Sequence, residues 1–167
     1  MRSGEIKKRI RELGRAVTAH YGREPFVVIG LMNGAIFFLV DLLRQLPADW
    51  EVFCPTVTSY AGAHSTGKVS GLDTLKRDLK GRRILLVDDI LDTGLTLRMV
   101  SRRLRELGAA QVDICVLLRK RKRRREAVKA RWVGFDVPDL FVIGCGFDFH
   151  GRYRGLKDIH VFEPKSD

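Results

Sequence analysis

The chain has 167 residues, 45% of them hydrophobic, and it carries a formal net charge of +11. This length is typical of one domain with a sizeable core, and the composition excludes a chain that is disordered throughout. No apolar run approaches the roughly 20 residues of a membrane-spanning helix, and the charged first residues lack the apolar stretch of a secretory signal. The positive charge fits either a nucleic acid or a phosphate-rich small substrate, so it does not select a partner.

The cysteines indicate a reducing compartment, and the basic residues are concentrated in one short run. Cys54, Cys115 and Cys145 lie far apart in apolar surroundings. An odd number without CxxC spacing argues against a disulfide framework and a zinc site, and predicts buried free thiols in a reducing cytoplasm. Seven consecutive basic residues at 119–125 (RKRKRRR) hold much of the excess charge. Such a run is usually a solvated loop or an electrostatic patch.

The first part of the chain alternates predicted helices with predicted strands. Ile6, Ile10, Leu13 and Val17 recur at helical spacing, which predicts an amphipathic helix over residues 4–20. A short continuous apolar run, FVVIGL, predicts a strand buried on both faces. The next predicted elements are a helix ended by Pro47 and a strand rich in β-branched and aromatic residues, at 34–46 and 51–58 respectively.

The second part of the chain continues the alternation after a long loop. Residues 59–75 (SYAGAHSTGKVSGLDTL) are small, polar and glycine-rich, and a loop of this length in a compact domain is usually functional or mobile. The remaining predicted elements are a helix ended by Gly108 and three strands, at 93–107 for the helix and 83–87, 112–118 and 140–143 for the strands. Strands alternating with helices predict an α/β fold: a single domain over 1–167 with an open, mainly parallel twisted sheet flanked by helices. Ligands of such sheets bind beyond the carboxyl ends of the strands.

The segment with the clearest chemistry is residues 84–97, ILLVDDILDTGLTL. An apolar strand leads into Asp88 and Asp89, which could hold ribose hydroxyls or waters on a magnesium ion. Asp92 would then face the reacting centre. The turn that follows, Thr93, Gly94, Leu95 and Thr96, can direct backbone N–H groups and hydroxyls at a phosphate where a helix begins. The alternative is an acidic strand end followed by an ordinary helix, with Asp92 or Thr93 as its N-cap.

This segment resembles the central motif of the type I phosphoribosyltransferases. The wider match, over about residues 25–162, resembles the hypoxanthine-guanine branch of that family. It rests on the order of six motifs: LMNGA (31–35), SYAGAHSTG (59–67), VDDILDTGLT (87–96), LLRK (117–120), VGFDVPDLFVIGCGFD (133–148) and RYRGL (152–156). The resemblance implies a core over about 25–118 and a small base-binding hood, formed mainly by 119–167 with the N-terminal segment. It also implies Mg²⁺ as cofactor and a homodimer or homotetramer.

The resemblance also implies a role for individual residues around phosphoribosyl pyrophosphate. Asp92 would accept the proton of purine N7, Asp88 and Asp89 would contact the ribose hydroxyls, and residues 93–96 would bind the 5-phosphate. Pyrophosphate would be bound by Asn33, Gly34 and Arg154, with Arg124 as a second arginine. The metal would lie near Asp148, and Asp88 and Asp89 would reach it through water or the ribose hydroxyls.

A second set of implied roles concerns the purine. Lys120 would donate to the 6-oxo group, which makes adenine a poor substrate, and Phe141 would stack on the base. Val142 would offer backbone contacts to the edge of the base, and Asp148 would lie near its 2-position. Ser59 and Tyr60 would open a loop that closes over the reacting complex and excludes water.

Two departures from the family pattern stand out. The turn after the first strand commonly reads Leu-Lys-Gly in the family, with an unusual cis peptide bond, whereas here it reads Met32-Asn33-Gly34. Asn33 keeps the backbone donor and loses the side-chain charge. The basic run at 119–125 is also more crowded than in the family, where basic and neutral residues more often alternate.

Two other functions fit parts of the sequence. Residues 62–68 (GAHSTGK) fit the GxxxxGK pattern of nucleotide triphosphatases, but Val69 replaces the hydroxyl residue that holds magnesium and Gly71 interrupts the required helix. The other alternative is an RNA-binding regulator on a phosphoribosyltransferase fold, which the net charge makes conceivable.

Overall fold

The computed structural model describes residues 1–47, 50–59, 69–121 and 128–163. The described helices are α1 (Ser3–Tyr21), α2 (Ile36–Leu43) and α3 (Leu95–Glu106), with a short 3-10 turn at Leu72–Thr74. The described strands are β1 (Val27–Gly30), β2 (Glu51–Phe53), β3 (Thr58–Ser59), β4 (Val69–Ser70), β5 (Arg83–Leu91), β6 (Gln111–Lys120), β7 (Trp132–Val137), β8 (Val142–Ile143) and β9 (His160–Val161).

The centre of the molecule is a parallel sheet, as the alternation of elements predicts. In the described part of the chain, five strands pair in the order β2-β1-β5-β6-β7, and every pair in this sheet is parallel. Antiparallel pairs form two small additional sheets, β3 with β4 and β8 with β9. The predicted fold class is therefore confirmed.

Both faces of the sheet are covered, which explains the continuous apolar runs in its central strands. On one face, α1 and α2 pack against Val28 and Leu85 through side chains such as Ile10 and Phe38. On the other face, α3 packs against the alternate strand residues, including Ile84. Successive strand side chains point to opposite faces, so a strand covered on both sides must be apolar at every position.

Several predicted boundaries are wrong, for physical reasons that the structure makes clear. The helix predicted at 34–46 ends at Leu43, before Pro47, because the chain tightens into i→i+3 turns in which Gln45 N donates to Leu42 O. The strand predicted at 51–58 is split into β2 and β3. The strand predicted at 140–143 is limited to β8, which pairs with β9 outside the main sheet.

Strand β7 is not among the predicted strands, and Cys54 is exposed where the sequence predicts a buried thiol. Strand β7 has only alternate positions buried, as expected of the edge strand of a sheet, so it lacks the continuous apolar run of a central strand. It lies in the main sheet, within the segment that the resemblance places in the hood. Cys115 and Cys145 are buried free thiols, but Cys54 is exposed because it follows β2 at the opposite edge.

The amino-terminal residues are tied to the segment just before β9. Met1 N donates to Ile159 O at 2.8 Å, Ile159 N donates to Met1 O at 3.0 Å, and Ser3 N donates to an Asp158 carboxylate oxygen at 2.8 Å. These contacts hold the beginning of α1 against the end of the chain. Among the described helices, none has the length and apolar character needed to cross a bilayer.

A polar cluster lies at the amino-terminal end of β6, away from the carboxyl edge of the sheet. Asp113 is only 7% exposed, and it accepts hydrogen bonds from Tyr21 (3.0 Å), Gln111 (2.6 Å) and Arg131 (2.8 Å). Burial alone would raise the pKa of Asp113, but the hydrogen bonds from Arg131 and Tyr21 outweigh it and lower that pKa. The cluster therefore joins α1 to the sheet through an ionised carboxylate.

Candidate active site at the carboxyl edge of the sheet

The carboxyl ends of adjacent strands bring the polar motifs of the sequence together. Gly30 of β1 pairs with Val87, Leu91 of β5 pairs with Arg119, and Lys120 of β6 pairs with Val137. The residues that follow these pairs therefore lie side by side along one edge. This is the edge at which open α/β sheets bind their ligands.

The first feature of this edge is the carboxylate pair Asp88–Asp89, which lies in β5 itself. Asp89 N donates to Asp88 Oδ1 at 3.0 Å. Burial, and then the charge of Asp89, raise the pKa of Asp88 well above its usual range. Burial also raises the pKa of Asp89, and the nearby Arg154 opposes that shift. Two crowded carboxylates of this kind are suited to bind hydroxyl donors or a cation.

The turn after β1 fits closely against this carboxylate pair. The peptide bond between Met32 and Asn33 is cis, as the resemblance implies. Gly34 lies so close to Asp89 that a Cβ atom on Gly34 would overlap the carboxylate. The turn therefore meets the end of β5 with backbone instead of side chain, which leaves main-chain groups exposed to a ligand.

The turn from β5 into α3 has an open helix terminus. Gly94 is the N-cap, with φ of 83°, and no side chain caps the helix. The alternative in which Asp92 or Thr93 acts as N-cap is therefore wrong; the Thr93 hydroxyl instead accepts from Leu95 N at 3.3 Å. A left-handed φ is readily adopted only by glycine. The first N–H groups of a helix have no acceptor within the helix and favour an anion, so residues 93–96 can bind a phosphate.

Asp92 and Lys120 lie next to each other at the tips of β5 and β6. Lys120 Nζ is 3.3 Å from Asp92 Oδ2 and 3.0 Å from Asp139 Oδ1. The lysine side chain is only 13% exposed, so its ammonium group is held between two carboxylates. No sequence pattern indicates Asp139 as a site residue. It lies beside Lys120 only because β7, which ends just before it, pairs with β6.

The hood contributes an aromatic surface. Phe141 is 49% exposed although it belongs to the apolar run LFVI. It makes an edge contact with Phe149, with 5.9 Å between ring centroids, and a tilted contact with Phe162. Val142 follows in β8 and is half-buried. An exposed ring supported by other aromatic rings can offer a face to a planar ligand.

Asp148 and Arg154 form an ion pair in the hood. Arg154 Nη2 lies 2.7 Å from Asp148 Oδ1, and Arg154 Nη1 donates to Gly146 O at 2.6 Å. Gly151 N donates to the other Asp148 oxygen at 2.7 Å. Because Arg154 also influences the pKa of Asp89, the hood and the end of β5 lie within electrostatic reach of each other.

Three predicted features lie wholly or partly outside the described residues. Tyr60, Arg124 and the GAHSTGK segment (62–68) fall there, whereas Ser59 ends β3 and its backbone pairs with Val69. Within the described residues, no three His, Cys, Asp or Glu side chains cluster as a metal site. The carboxylates described at this edge instead form three groups: Asp88 with Asp89, Asp92 and Asp139 around Lys120, and Asp148 with Arg154.

Fold and site together define an α/β enzyme that binds a phosphorylated ligand across the ends of parallel strands. The model of the phosphoribosyl transferase domain family matches residues 2–150. The chain is 38% identical to the hypoxanthine-guanine phosphoribosyltransferase of Aquifex aeolicus (strain VF5), over 98% of this chain and 93% of that protein. The chain belongs to the phosphoribosyltransferase family.

Solved structures agree with this assignment. A hypoxanthine phosphoribosyltransferase from Staphylococcus aureus superposes with a TM-score of 0.90 at 32% identity, covering 98% of this chain and 89% of that one. The hypoxanthine phosphoribosyltransferase of Trypanosoma cruzi, in complex with the product IMP, superposes with a TM-score of 0.85 at 34% identity. That match covers 98% of this chain and 92% of the other.

Proposed function

We propose that this chain is a purine salvage enzyme. It transfers the 5-phosphoribosyl group of phosphoribosyl pyrophosphate to hypoxanthine, and to guanine, and it releases the nucleoside monophosphate and pyrophosphate. The observation that carries this proposal is the separation of 3.3 Å between Lys120 Nζ and Asp92 Oδ2. The Lys120 ammonium can donate a hydrogen bond and the Asp92 carboxylate can accept one, and the two groups lie side by side.

This pair matches one edge of a 6-oxopurine. Atoms O6 and N7 of such a base are neighbours that one bidentate partner can contact together. The Lys120 ammonium would donate to O6, and Asp92 would accept from N7–H as N9 attacks the ribose. An ammonium cannot accept a hydrogen bond, so the 6-amino group of adenine would face it unfavourably. Phe141 would stack on the face of the base, and Val142 and Asp148 would meet its opposite edge.

The other substrate would lie towards β1. Residues 93–96 would bind the 5-phosphate at the start of α3, and the Asp88–Asp89 pair would accept hydrogen bonds from the ribose hydroxyls. The turn at Asn33 and Gly34 would present backbone groups to pyrophosphate, together with Arg154. Positive charge at this position stabilises the leaving group as its negative charge develops.

Mg²⁺ fits the carboxylates of this site. Magnesium commonly takes one or two carboxylates together with substrate phosphates and water, so a complete protein cage is not required. Asp148 binds Arg154 through one oxygen and Gly151 N through the other. A carboxylate can accept about four hydrogen bonds or ligands in total, so Asp148 retains capacity for a metal ion. Bound Mg²⁺ would supply charge neutralisation at the pyrophosphate. Asp148 would hold it directly, with Asp88 and Asp89 acting through water or the ribose hydroxyls.

We also propose that two copies of the chain associate, through the outer face of α2. This helix buries Phe38 and Leu39, yet its outward residues Ile36, Phe37 and Val40 are apolar as well and are 40–43% exposed. An exposed group of large apolar side chains of this kind marks an interaction surface. Light scattering coupled to gel filtration would test for a dimer or tetramer, and the variant Phe37→Glu should shift the mass towards the monomer.

Two further features of the function are proposals. The free thiols Cys115 and Cys145 favour a reducing compartment, the cytoplasm. The hood, formed by the residues after β7 with the tied N-terminal segment, would cover the base. The RNA-binding alternative rests on net charge alone and has no support from the relatives described above.

The direct test follows nucleotide formation from phosphoribosyl pyrophosphate and Mg²⁺ with hypoxanthine, guanine, xanthine, adenine and uracil in separate reactions. Product with hypoxanthine or guanine and none with adenine is the expected result, and omission of Mg²⁺ should abolish it. Product with uracil alone would overturn the purine site. No product with any base, together with RNA binding that weakens steeply with salt, would favour the regulator.

A further inference from the structure

Asp139 lies closer than Asp92 to the Lys120 ammonium. Asp139 Oδ1 is 3.0 Å from Lys120 Nζ, whereas Asp92 Oδ2 is 3.3 Å away. The Lys120 side chain is 13% exposed and that of Asp139 is 49% exposed. A well-buried ammonium is therefore paired at its open side with a carboxylate that has no assigned role.

The backbone around Asp139 fixes this contact. Val137 is the register partner of Lys120, and Arg121 N donates to Val137 O at 2.8 Å just beyond it. Leu140 N then donates to Pro138 O at 2.9 Å, which closes a tight turn around Asp139. Phe141 follows two residues later. The carboxylate thus stands on a short, hydrogen-bonded turn between the lysine and the stacking ring.

The Lys120 ammonium and the N7 proton of the purine would compete for Asp92. Under the proposed function, Asp92 must accept the N7 proton, and an ammonium resting on Asp92 alone would occupy that acceptor and weaken it as a base. A lysine ammonium has three donors. A donor bonded to Asp139 can keep the ammonium in place while another turns to the 6-oxo group of the base. Asp139 therefore provides an anchor that does not compete with the purine.

We propose that Asp139 is a positioning residue for purine recognition, which holds the Lys120 ammonium beside Asp92 so that the lysine can read the 6-oxo group. This inference rests on the proposed function. It assigns Asp139 no contact with phosphoribosyl pyrophosphate, so its effect should be confined to the purine.

The test compares the steady-state kinetics of wild type, Asp139→Asn and Asp139→Glu. The Asn variant should raise the KM for hypoxanthine and lower kcat/KM for that base by about 3- to 10-fold, the range expected for a partly exposed ion pair that also orients its partner. The KM for phosphoribosyl pyrophosphate should stay within about twofold of wild type, because Asp139 does not contact that substrate. The Glu variant should recover part of the loss, because it restores the charge.

The matched control is Asp136→Asn. This residue lies on β7 and pairs with Arg119 at 2.6 and 2.8 Å, so the substitution also removes a carboxylate from an ion pair on the same strand. Its kinetics should equal those of wild type. Thermal unfolding of all variants would show whether a loss reflects instability of the fold.

A double-mutant cycle separates positioning from a purely structural role. If Asp139 acts through Lys120, the substitution Asp139→Asn should have no further effect in the Lys120→Met background. An unchanged KM for hypoxanthine in the single variant, or independent multiplication of the two losses in the double variant, would overturn the inference. Failure of wild type to use any 6-oxopurine would instead overturn the proposed function itself.

Discussion

Gly34 offers the sharpest test of the pyrophosphate side of the site, because the structure leaves no room for a side chain there. A Cβ atom on Gly34 would overlap the Asp89 carboxylate and lie 2.7 Å from Asp89 Cγ. Carbon atoms in contact prefer about 3.5–4.0 Å, so the substitution Gly34→Ala must displace the turn or the carboxylate by roughly 1 Å. Asp89 belongs to the central strand β5, whereas Gly34 lies in a turn, so we expect the turn to move.

The expected magnitude follows from that displacement. A shift of about 1 Å in a binding group can lower the rate on the order of 100-fold, equivalent to about 2.7 kcal/mol of transition-state stabilisation. The loss should appear in kcat/KM for phosphoribosyl pyrophosphate. The KM for hypoxanthine should change little, because Lys120 and Phe141 lie beyond β5, at β6 and in the hood.

Initial rates at saturating hypoxanthine, measured against phosphoribosyl pyrophosphate concentration, give the required ratio. Gly4→Ala is the matched control, since a Cβ atom on Gly4 meets nothing within 4 Å and the residue lies in α1. This control should have normal kinetics and a melting temperature no lower than that of wild type, because alanine is favoured over glycine in a helix. If the Gly34 variant is folded and keeps kcat/KM within about threefold of wild type, the close fit against Asp89 does not shape the substrate site.

Three further predictions concern other parts of the molecule. Asp92→Ala should retain phosphoribosyl pyrophosphate binding in calorimetry while turnover falls at least about 100-fold, and unchanged turnover would remove Asp92 from its proposed role. Lys120→Met should reduce the preference for hypoxanthine over adenine at least about tenfold, and a preserved ratio of kcat/KM values would contradict the donor role. Asp113→Asn should lower the free energy of unfolding by about 2 kcal/mol, less than a fully buried pair because Arg131 is half exposed. The pKa of Asp113 is lowered in the folded chain, so its stabilisation is complete above the unfolded pKa of about 3.9 and is lost as pH falls through the lowered value. Urea unfolding at pH 7 and pH 3 should show a smaller acid loss in Asp113→Asn than in wild type.

The central sheet was predictable because its physics is local. Strands β1, β5 and β6 are buried on both faces, so their apolar runs stand out without knowledge of their neighbours. The glycine at position 94 likewise indicates a turn in any context. The carboxylates of the DDILD segment were visible as a group because one strand end carries them all.

The edges of the molecule were less predictable because their residues depend on distant partners. Strand β7 lacks a continuous buried apolar run, and it forms a strand of the sheet by pairing with β6. The apolar segment at 140–143 resembles a core strand, yet Leu140 and Phe141 are 43% and 49% exposed. Hydrophobic periodicity cannot distinguish such an exposed apolar segment from a core strand. Asp148 and Arg154 are uninformative singly, and family resemblance alone selected them.

Strand order explains why groups far apart in sequence follow one another in space. Along β1, β5, β6 and β7, the strand ends lead to Gly34, Asp92, Lys120 and Asp139 in turn. On the proposed function, pyrophosphate lies at the first strand end, the reacting carbon at the second, and the purine at the last two. Substitutions at these four positions should therefore separate by strand: Gly34→Ala changes the kinetics with phosphoribosyl pyrophosphate, Asp92→Ala changes kcat, and Lys120→Met and Asp139→Asn change the kinetics with the base. An Asp139→Asn variant that altered the KM for phosphoribosyl pyrophosphate alone would contradict this linear arrangement.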